Sequence, residues 1–120
     1  MTIENITSIK AKSYPTPSTH ARGTALVDTM NVSYDDLVSA FGDPTIETDN
    51  YKTDAEWHVS FTGYDRGHEF VTIYNYKDGK NYLGRDGLNV KDITNWHIGA
   101  KSRVAYWALQ DFLKQQTKGN

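Results

Sequence analysis

Cysteine is the residue that this sequence lacks altogether, and its absence narrows the chemistry. A chain of 120 residues without cysteine cannot form a disulfide, present a thiolate nucleophile or hold zinc or an iron–sulfur cluster through sulfur ligands. No stretch approaches the ~18 consecutive apolar residues of a membrane-spanning helix. The first residues show no basic segment followed by an apolar one. We therefore expect a cytoplasmic location and no membrane partner.

The common catalytic motifs are also missing from the sequence. There is no paired-carboxylate signature, no Rossmann glycine pattern and no nucleophile elbow. A phosphate-binding loop could end on Lys101-Ser102, but Asn95 and Ala100 stand where that loop requires glycine. The four histidines are isolated along the chain and do not show metal-ligand spacing. The sequence thus predicts a protein that is not an enzyme and that holds neither a metal nor a cofactor.

The composition is typical of a folded domain. Hydrophobic residues make up 38% of the chain and aromatic residues 12%, which suits one core in a domain of this length. Near the N-terminus, Ser13-Tyr14-Pro15-Thr16-Pro17-Ser18 reads as an extended linker. We predict an extended or flexible N-terminal arm over residues 1–22 and a single domain over residues 23–120.

Helix and strand signals alternate along this domain. Ser33 can cap a helix with one apolar face, which stops at Gly42. Strict alternation of apolar and polar residues over 56–62 is the period of a half-buried strand. The predicted elements, in chain order, are strand 24–30, the helix opened by Ser33, strands 56–62 and 70–76, a short strand 81–83, strand 94–98 and helix 102–116.

This order, β-α-β-β-(β)-β-α, predicts an α+β fold. Short turns between neighbouring strands favour antiparallel pairing. We expect a small antiparallel β-meander of about four strands with two helices packed on one face. Large apolar residues at strand and helix periods should share one core, and they are Trp57, Phe61, Ile73, Leu109 and Phe112.

The clearest candidate binding site lies where the last predicted strand leads into the last predicted helix. Free N–H groups and the dipole at a helix N-terminus attract anions, Lys101 and Arg103 add positive charge, and an aromatic ring could stack on a nucleotide base. The predicted ligand-binding residues are Tyr74, Trp96, His97, Gly99, Lys101, Ser102 and Arg103. A plain strand-to-helix junction with Ser102 as the helix cap explains the same residues.

A second candidate surface is acidic. Residues 28–56 hold eight acids against one base, Lys52, which favours a basic protein partner and opposes direct binding of nucleic acid. The predicted partner-binding residues are Asp35, Asp36, Asp49, Asp54 and Glu56. An ordinary solvated helix face accounts for much of the same charge.

Three segments, taken together, resemble small proteins encoded by phages and prophages. They are Trp57-His58-Val59-Ser60-Phe61, Thr72-Ile73-Tyr74-Asn75-Tyr76-Lys77 and Ile93-Thr94-Asn95-Trp96-His97-Ile98-Gly99-Ala100-Lys101-Ser102. The resemblance covers residues 24–110 and brings no catalytic residues with it. It implies a protein that acts on host machinery, either by binding a host protein or by sequestering a small signalling molecule.

These observations lead to one functional hypothesis and two alternatives. The favoured interpretation is a phage-type accessory protein that neutralises a host component, such as one of antiviral defence, by sequestering a small anionic nucleotide ligand. We expect it to act in the host cytoplasm as a homo-oligomer. The alternatives are an inhibitor that binds a host protein through the acidic residues, and a small enzyme of unknown reaction.

Overall fold

The computed structural model describes residues 9–64 and 67–118. Residues 1–8 of the predicted arm lie outside this described part. The strands are β1 (Lys10–Tyr14), β2 (Ala25–Asn31), β3 (Glu56–Tyr64), β4 (Gly67–Tyr74) and β5 (Asn95–Ala100), and the helices are α1 (Tyr34–Phe41), α2 (Lys80–Leu83) and α3 (Arg103–Lys118). Short 3-10 turns occur at Thr19–Ala21, Gly84–Asp86 and Val90–Asp92.

The strands form one sheet in the order β1-β3-β4-β5-β2, and every pairing is antiparallel. The predicted α+β class is confirmed. β3, β4 and β5 follow one another as the expected meander, but the described sheet has five strands. The fifth is β1, which lies within the predicted arm and pairs with the free edge of β3. β2 departs from meander order because it pairs with β5 at the far edge.

The predicted short strand at residues 81–83 is wrong, because these residues belong to helix α2. Each of the three meander strands is already paired on both sides, so the short segment after β4 has no adjacent edge to join. The backbone N–H of Asn81 instead donates to Asp54 Oδ2 at 3.1 Å. This bond fixes the beginning of a single helical turn.

The core lies between the sheet and the helices α1 and α3. Alternate residues of the three central strands point to this side, among them Trp57, Phe61 and Ile73, all fully buried. Phe112 of α3 packs against Phe41 and Phe61, with ring centroids 5.5 and 5.6 Å apart. The predicted core is confirmed, since each of its five residues is buried in one cluster.

Helix α1 is fixed at both ends by buried indoles. Trp96 donates its ring N–H to the Val32 carbonyl, and Trp57 donates its ring N–H to the Gly42 carbonyl, both at 2.9 Å. As predicted, Ser33 caps the helix by accepting the Asp36 N–H at 3.0 Å. Gly42 ends it with a φ of 82°, a left-handed conformation that favours glycine.

A buried amide organises the loop that follows β4. The Asn75 side chain is fully buried and accepts the backbone N–H groups of Asp54 and Ala55 at 2.7 and 3.1 Å. It donates to the carboxylates of Asp54 and Asp78 at 2.9 and 3.0 Å. All its hydrogen-bonding capacity is thus used inside the protein, as a buried amide requires.

Candidate ligand-binding site

The face of the sheet opposite α1 and α3, here called the outer face, carries the side chains that alternate with the core. Strand register aligns these side chains in rows. The rows are Lys12, Ser60 and Phe70; Tyr14, His58, Thr72 and Gly99; and Glu56, Tyr74 and His97. Lys101 directly follows the last residue of β5 and lines the same space as Phe70. Aromatic, hydroxyl and basic groups are therefore adjacent on this face.

Residues 15–24, here called the strap, cross the outer face. The crossing follows from the topology, because the strap joins β1 at one edge of the sheet to β2 at the other. Its 3-10 turn, Thr19–Ala21, contacts β4, and its Ser18 N–H donates to His58 Nδ1 at 3.2 Å. The strap divides the outer face into two regions.

His58 joins the strap to the sheet and has a defined tautomer. Its Nδ1 accepts the Ser18 N–H, so this nitrogen carries no proton. Its Nε2 lies 2.7 Å from Glu56 Oε2 and donates to that carboxylate. His58 is buried and neutral in this arrangement. The Glu56 carboxylate is thereby held in one orientation on the outer face.

Aromatic rings cluster on one side of the strap. Phe70 contacts His20 of the strap at 5.6 Å, Tyr14 at 6.0 Å and His58 at 5.9 Å between ring centroids. The Tyr14 hydroxyl is 3.3 Å from Ser60 Oγ. The ring planes are inclined to one another by 45° to 82°, and Tyr14, His20 and Phe70 all line the space between the strap and the sheet.

This space is a cavity of about 360 Å³, here called the His20 cavity. Its lining residues are Tyr14, His20, Ser60, His68, Glu69, Phe70, Lys101, Ser102 and Ala105. The volume lies within the ~300–1,000 Å³ of small-molecule sites. Aromatic surface forms one wall, and the beginning of α3 with Lys101 forms another.

The polar groups at the α3 side of the His20 cavity are free to bind a ligand. Lys101 forms no ion pair within the described chain, and Ser102 has no side-chain hydrogen bond to any described residue. Both are exposed. The first-turn N–H groups of α3 and the Lys101 ammonium together favour an anion, whereas Glu69 places one negative charge in the same lining.

The structure places three other predicted ligand residues outside this cavity. Tyr74 and His97 stack with ring centroids 5.6 Å apart, further along the outer face. Gly99 lies beside them and lines a separate cleft with Tyr74. Lys101 and Ser102 are therefore the two members of the predicted set that share the His20 cavity.

Two predicted ligand residues are committed to other contacts. Trp96 is fully buried on the core side of the sheet, so its ring has no face open to a ligand. Arg103 donates to Asp28 Oδ2 at 2.8 Å and to the Val27 carbonyl at 2.7 Å. Its hydrogen bond, followed by that from the Thr29 N–H, lowers the pKa of Asp28 below its ordinary value. Arg103 thus neutralises an acid of β2.

The predicted acidic surface is divided between two sides of the molecule. Asp35 and Asp36 are exposed on α1, on the helical side of the sheet. Glu56 lies on the outer face, bonded to His58, and Asp49 lines the cleft beside it. Asp54 accepts the Asn75 amide and the Asn81 N–H. These five acids do not form one continuous patch.

Sequence reasoning missed the residues that supply the aromatic wall, namely Tyr14, His20 and Phe70. A usable signal existed in Lys10-Ala11-Lys12-Ser13-Tyr14, where larger side chains alternate with small ones at the period of a strand. That pattern would have placed Tyr14 on the same face as Lys12. His20 carried no local signal, because its position depends on the path of the strap.

Comparison with protein-family models found no match to this chain, and a search of curated proteins found no match either. Within the described residues, no helix is both long and apolar enough to cross a membrane. The described histidine, aspartate and glutamate side chains form no cluster of three that could hold a metal ion. The candidate function therefore depends on the geometry of the outer face.

Proposed function

We propose that the protein binds a small anionic ligand with an aromatic ring, of the nucleotide class, in the His20 cavity. The observation that supports this most directly is the composition of the cavity. An aromatic wall of Tyr14, His20 and Phe70 faces a wall that carries Lys101 and the Ser102 hydroxyl, neither of which is bonded to another described side chain. A nucleotide has both groups that these walls would recognise, a planar base and a phosphate.

The two walls would make different contributions to binding. A base can stack against Phe70 or Tyr14, and such contacts contribute ~1–3 kcal/mol per base. The phosphate would accept hydrogen bonds from Ser102 and from the first-turn N–H groups of α3, with Lys101 as its charge partner. The cavity lining holds a single lysine, which forms no ion pair with a described residue, and this favours a ligand of low charge, such as a monophosphate or a cyclic nucleotide.

We propose binding without chemical conversion. A serine nucleophile needs an adjacent base to activate it, whereas the Ser60 hydroxyl in the lining is hydrogen bonded to Tyr14 and to neither of the described histidines of the cavity. Binding without conversion suits an accessory role, and the resemblance of residues 24–110 to phage-encoded proteins implies a role of that kind. The protein would sequester a nucleotide that the host uses as a signal, for example in antiviral defence.

Isothermal titration calorimetry against linear and cyclic nucleotides tests this proposal. We expect Lys101→Met to weaken binding about ten- to a hundredfold, because it removes one charge-assisted contact of ~1.5–3 kcal/mol. The matched control is Arg103→Met. It also removes one positive charge, two residues from Lys101, but the Arg103 side chain is already paired with Asp28. It should change the affinity much less.

Two results would contradict the proposal. One is the absence of measurable binding by every nucleotide in the panel, together with no small molecule released when native protein is heated. The other is equal loss of affinity in both variants, which would mean that general surface charge attracts the ligand. Native mass spectrometry of the purified protein would report any retained nucleotide and the oligomeric state together.

A further inference from the structure

A second concave site lies on the outer face, in the region beyond the strap. It is an open cleft of about 340 Å³, here called the Tyr74 cleft. Its lining residues are Ala21, Thr24, Ala25, Asp49, Thr53, Glu56, Thr72, Tyr74, Tyr76 and Gly99. Neighbouring strap residues therefore line the two sites, with His20 in one and Ala21 in the other.

The lining of the Tyr74 cleft is more acidic than that of the His20 cavity. Its described lining contains the carboxylates of Asp49 and Glu56 and no lysine, arginine or histidine. The His20 cavity, by contrast, contains Lys101 and two histidines beside a single acid, Glu69. An anion would be repelled from the cleft, whereas a cation would gain from two carboxylates at close range.

Glu56 is held in position to receive a cation. Its side chain is only 16% exposed, and its Oε2 accepts the His58 Nε2–H at 2.7 Å. Since His58 Nδ1 accepts the Ser18 N–H, the imidazole is neutral and leaves the Glu56 charge uncompensated. The second oxygen, Oε1, has no hydrogen bond to a described residue. It is available to a ligand that donates hydrogen bonds.

Two tyrosines provide aromatic surface beside these carboxylates. His97 lies opposite Tyr74 on the neighbouring strand and stacks on it, with ring centroids 5.6 Å apart, and its ring centroid is also 5.6 Å from that of Tyr76. Burial, with smaller effects of Glu56 and Tyr76, raises the pKa of Tyr74, so its phenol stays neutral. The Tyr76 ring already holds one ammonium group, because Lys77 Nζ lies 5.1 Å from its centroid. Aromatic faces beside a carboxylate are a typical environment for organic cations.

Gly99 leaves the floor of the cleft open. A Cβ atom at this position would lie 2.5 Å from Thr72 Oγ1 and 3.6 Å from Tyr74 Cε1. Any other residue would therefore displace Thr72 or occupy the space next to Tyr74. The floor between the tyrosines and the strap depends on glycine.

We propose that the Tyr74 cleft is a second binding site, which takes an organic ammonium group between Tyr74, Tyr76 and Glu56. The ligand is a primary or methylated alkylammonium, either as a free amine or as a lysine side chain of another protein. The ammonium group contacts the tyrosine faces and the free Glu56 oxygen, and its alkyl chain follows the threonine-lined floor. This inference is independent of nucleotide binding, since it involves different residues and a ligand of the opposite charge.

The experiment is an NMR titration of the full chain with butylammonium and tetramethylammonium chloride, and with tert-butanol as a neutral analogue. We expect saturable shifts at Tyr74, Tyr76 and Gly99 for the cations, and weaker or no shifts for the alcohol. Glu56→Gln keeps an acceptor for His58 but removes the charge, so it should weaken binding about tenfold. Asp35→Asn is the matched control, because it removes one charge on the opposite side of the sheet and should leave the affinity unchanged.

A lysine-containing peptide and its acetylated form distinguish the two sources of the ligand. Binding of the unmodified peptide alone indicates a protein partner, and binding of the free amines alone indicates a small metabolite. The proposal is overturned if no cation gives saturable shifts, if tert-butanol binds as well as the cations, or if Glu56→Gln and Asp35→Asn behave alike. Glu56→Gln should leave the nucleotide affinity unchanged. A negative result for cations at the Tyr74 cleft would therefore not contradict nucleotide binding in the His20 cavity.

Discussion

At the scale of single residues, Lys101 and Arg103 show how neighbouring cations can have different roles. Lys101 follows the last residue of β5 and reaches the His20 cavity without an ion-pair partner in the described chain. Arg103 begins α3 and turns back to β2, where it binds Asp28 and packs over the Tyr106 ring at 5.7 Å. Sequence spacing alone predicts that both residues bind the ligand, whereas their contacts show that Arg103 is paired with Asp28 and Lys101 is not.

The titration of Asp28 should report this difference. Because the folded pKa of Asp28 lies below its ordinary 3.8, the ionised carboxylate favours the folded state above that pH. This contribution is lost as the pH falls through the folded pKa. We expect Arg103→Met to return the pKa towards 3.8, because it removes the main cause of the shift. Carbon NMR of the carboxyl group over the acid range measures it.

Lys101→Met serves as the control for that titration, since Lys101 does not contact Asp28 in the described structure. It should leave the pKa of Asp28 low while it weakens nucleotide binding. An Asp28 pKa that is the same in Arg103→Met as in the native protein would mean that the ion pair does not persist in solution.

At the scale of elements, α1 and α3 are joined to the sheet by a small number of aromatic contacts. Phe112 of α3 stacks on Phe41 of α1 and meets Phe61 of β3. Trp57 and Trp96 pack edge to face at 5.3 Å and bond the carbonyls at the two ends of α1. The helical layer thus holds the sheet in shape from the face opposite the Tyr74 cleft, and the beginning of α3 also lines the His20 cavity.

Replacement of two aromatic residues in α3 should separate core packing from helix propensity. Phe112 is 6% exposed and Trp107 is 46% exposed. We expect Phe112→Ala to lower the free energy of unfolding by ~3–5 kcal/mol through the lost burial and the cavity it leaves. Trp107→Ala should cost under ~1 kcal/mol. Urea denaturation followed by circular dichroism measures both, and equal effects would show that the core is assigned to the wrong helix face.

At the scale of the whole molecule, the first described residues form part of the sheet and part of both proposed sites. β1 covers the edge of β3, and the strap covers part of the outer face. Ile9 is buried, and its backbone N–H and carbonyl bond the Gln115 side chain of α3 at 3.0 and 2.9 Å. Residues 9–22 therefore contact the sheet, α3 and both proposed cavities.

Deletion of residues 1–22 tests whether the segment 23–120 is a domain by itself. We expect the free energy of unfolding of the truncated chain to be lower by ~3 kcal/mol or more, because the truncation removes the burial of Ile9, the β1 ladder and the strap contacts. It should also aggregate through the uncovered edge of β3. A chain that begins at residue 9 keeps every described contact and is the control. If both chains melt cooperatively at the same temperature, the arm is dispensable and the predicted domain boundary at residue 23 is correct.

The sequence by itself determined the parts of this protein that depend on local periodicity and capping. Alternation in 56–62 and the apolar stripe of the last helix placed Trp57, Phe61 and Phe112 in the core, because side-chain direction follows directly from backbone period. The Ser33 cap and the Gly42 stop of α1 were equally local. The class of fold followed from the order of these elements.

Only the tertiary structure decided which residues meet on the outer face. Strand order cannot be obtained from local pattern, and it is the placing of β1 and β2 at opposite edges that draws the strap across the sheet. That crossing brings His20 onto Phe70 and separates Lys101 from Tyr74 and His97. The pairing of β2 with β5 likewise brings Asp28 within reach of Arg103, since residues far apart in sequence meet only when long-range strand pairing is complete.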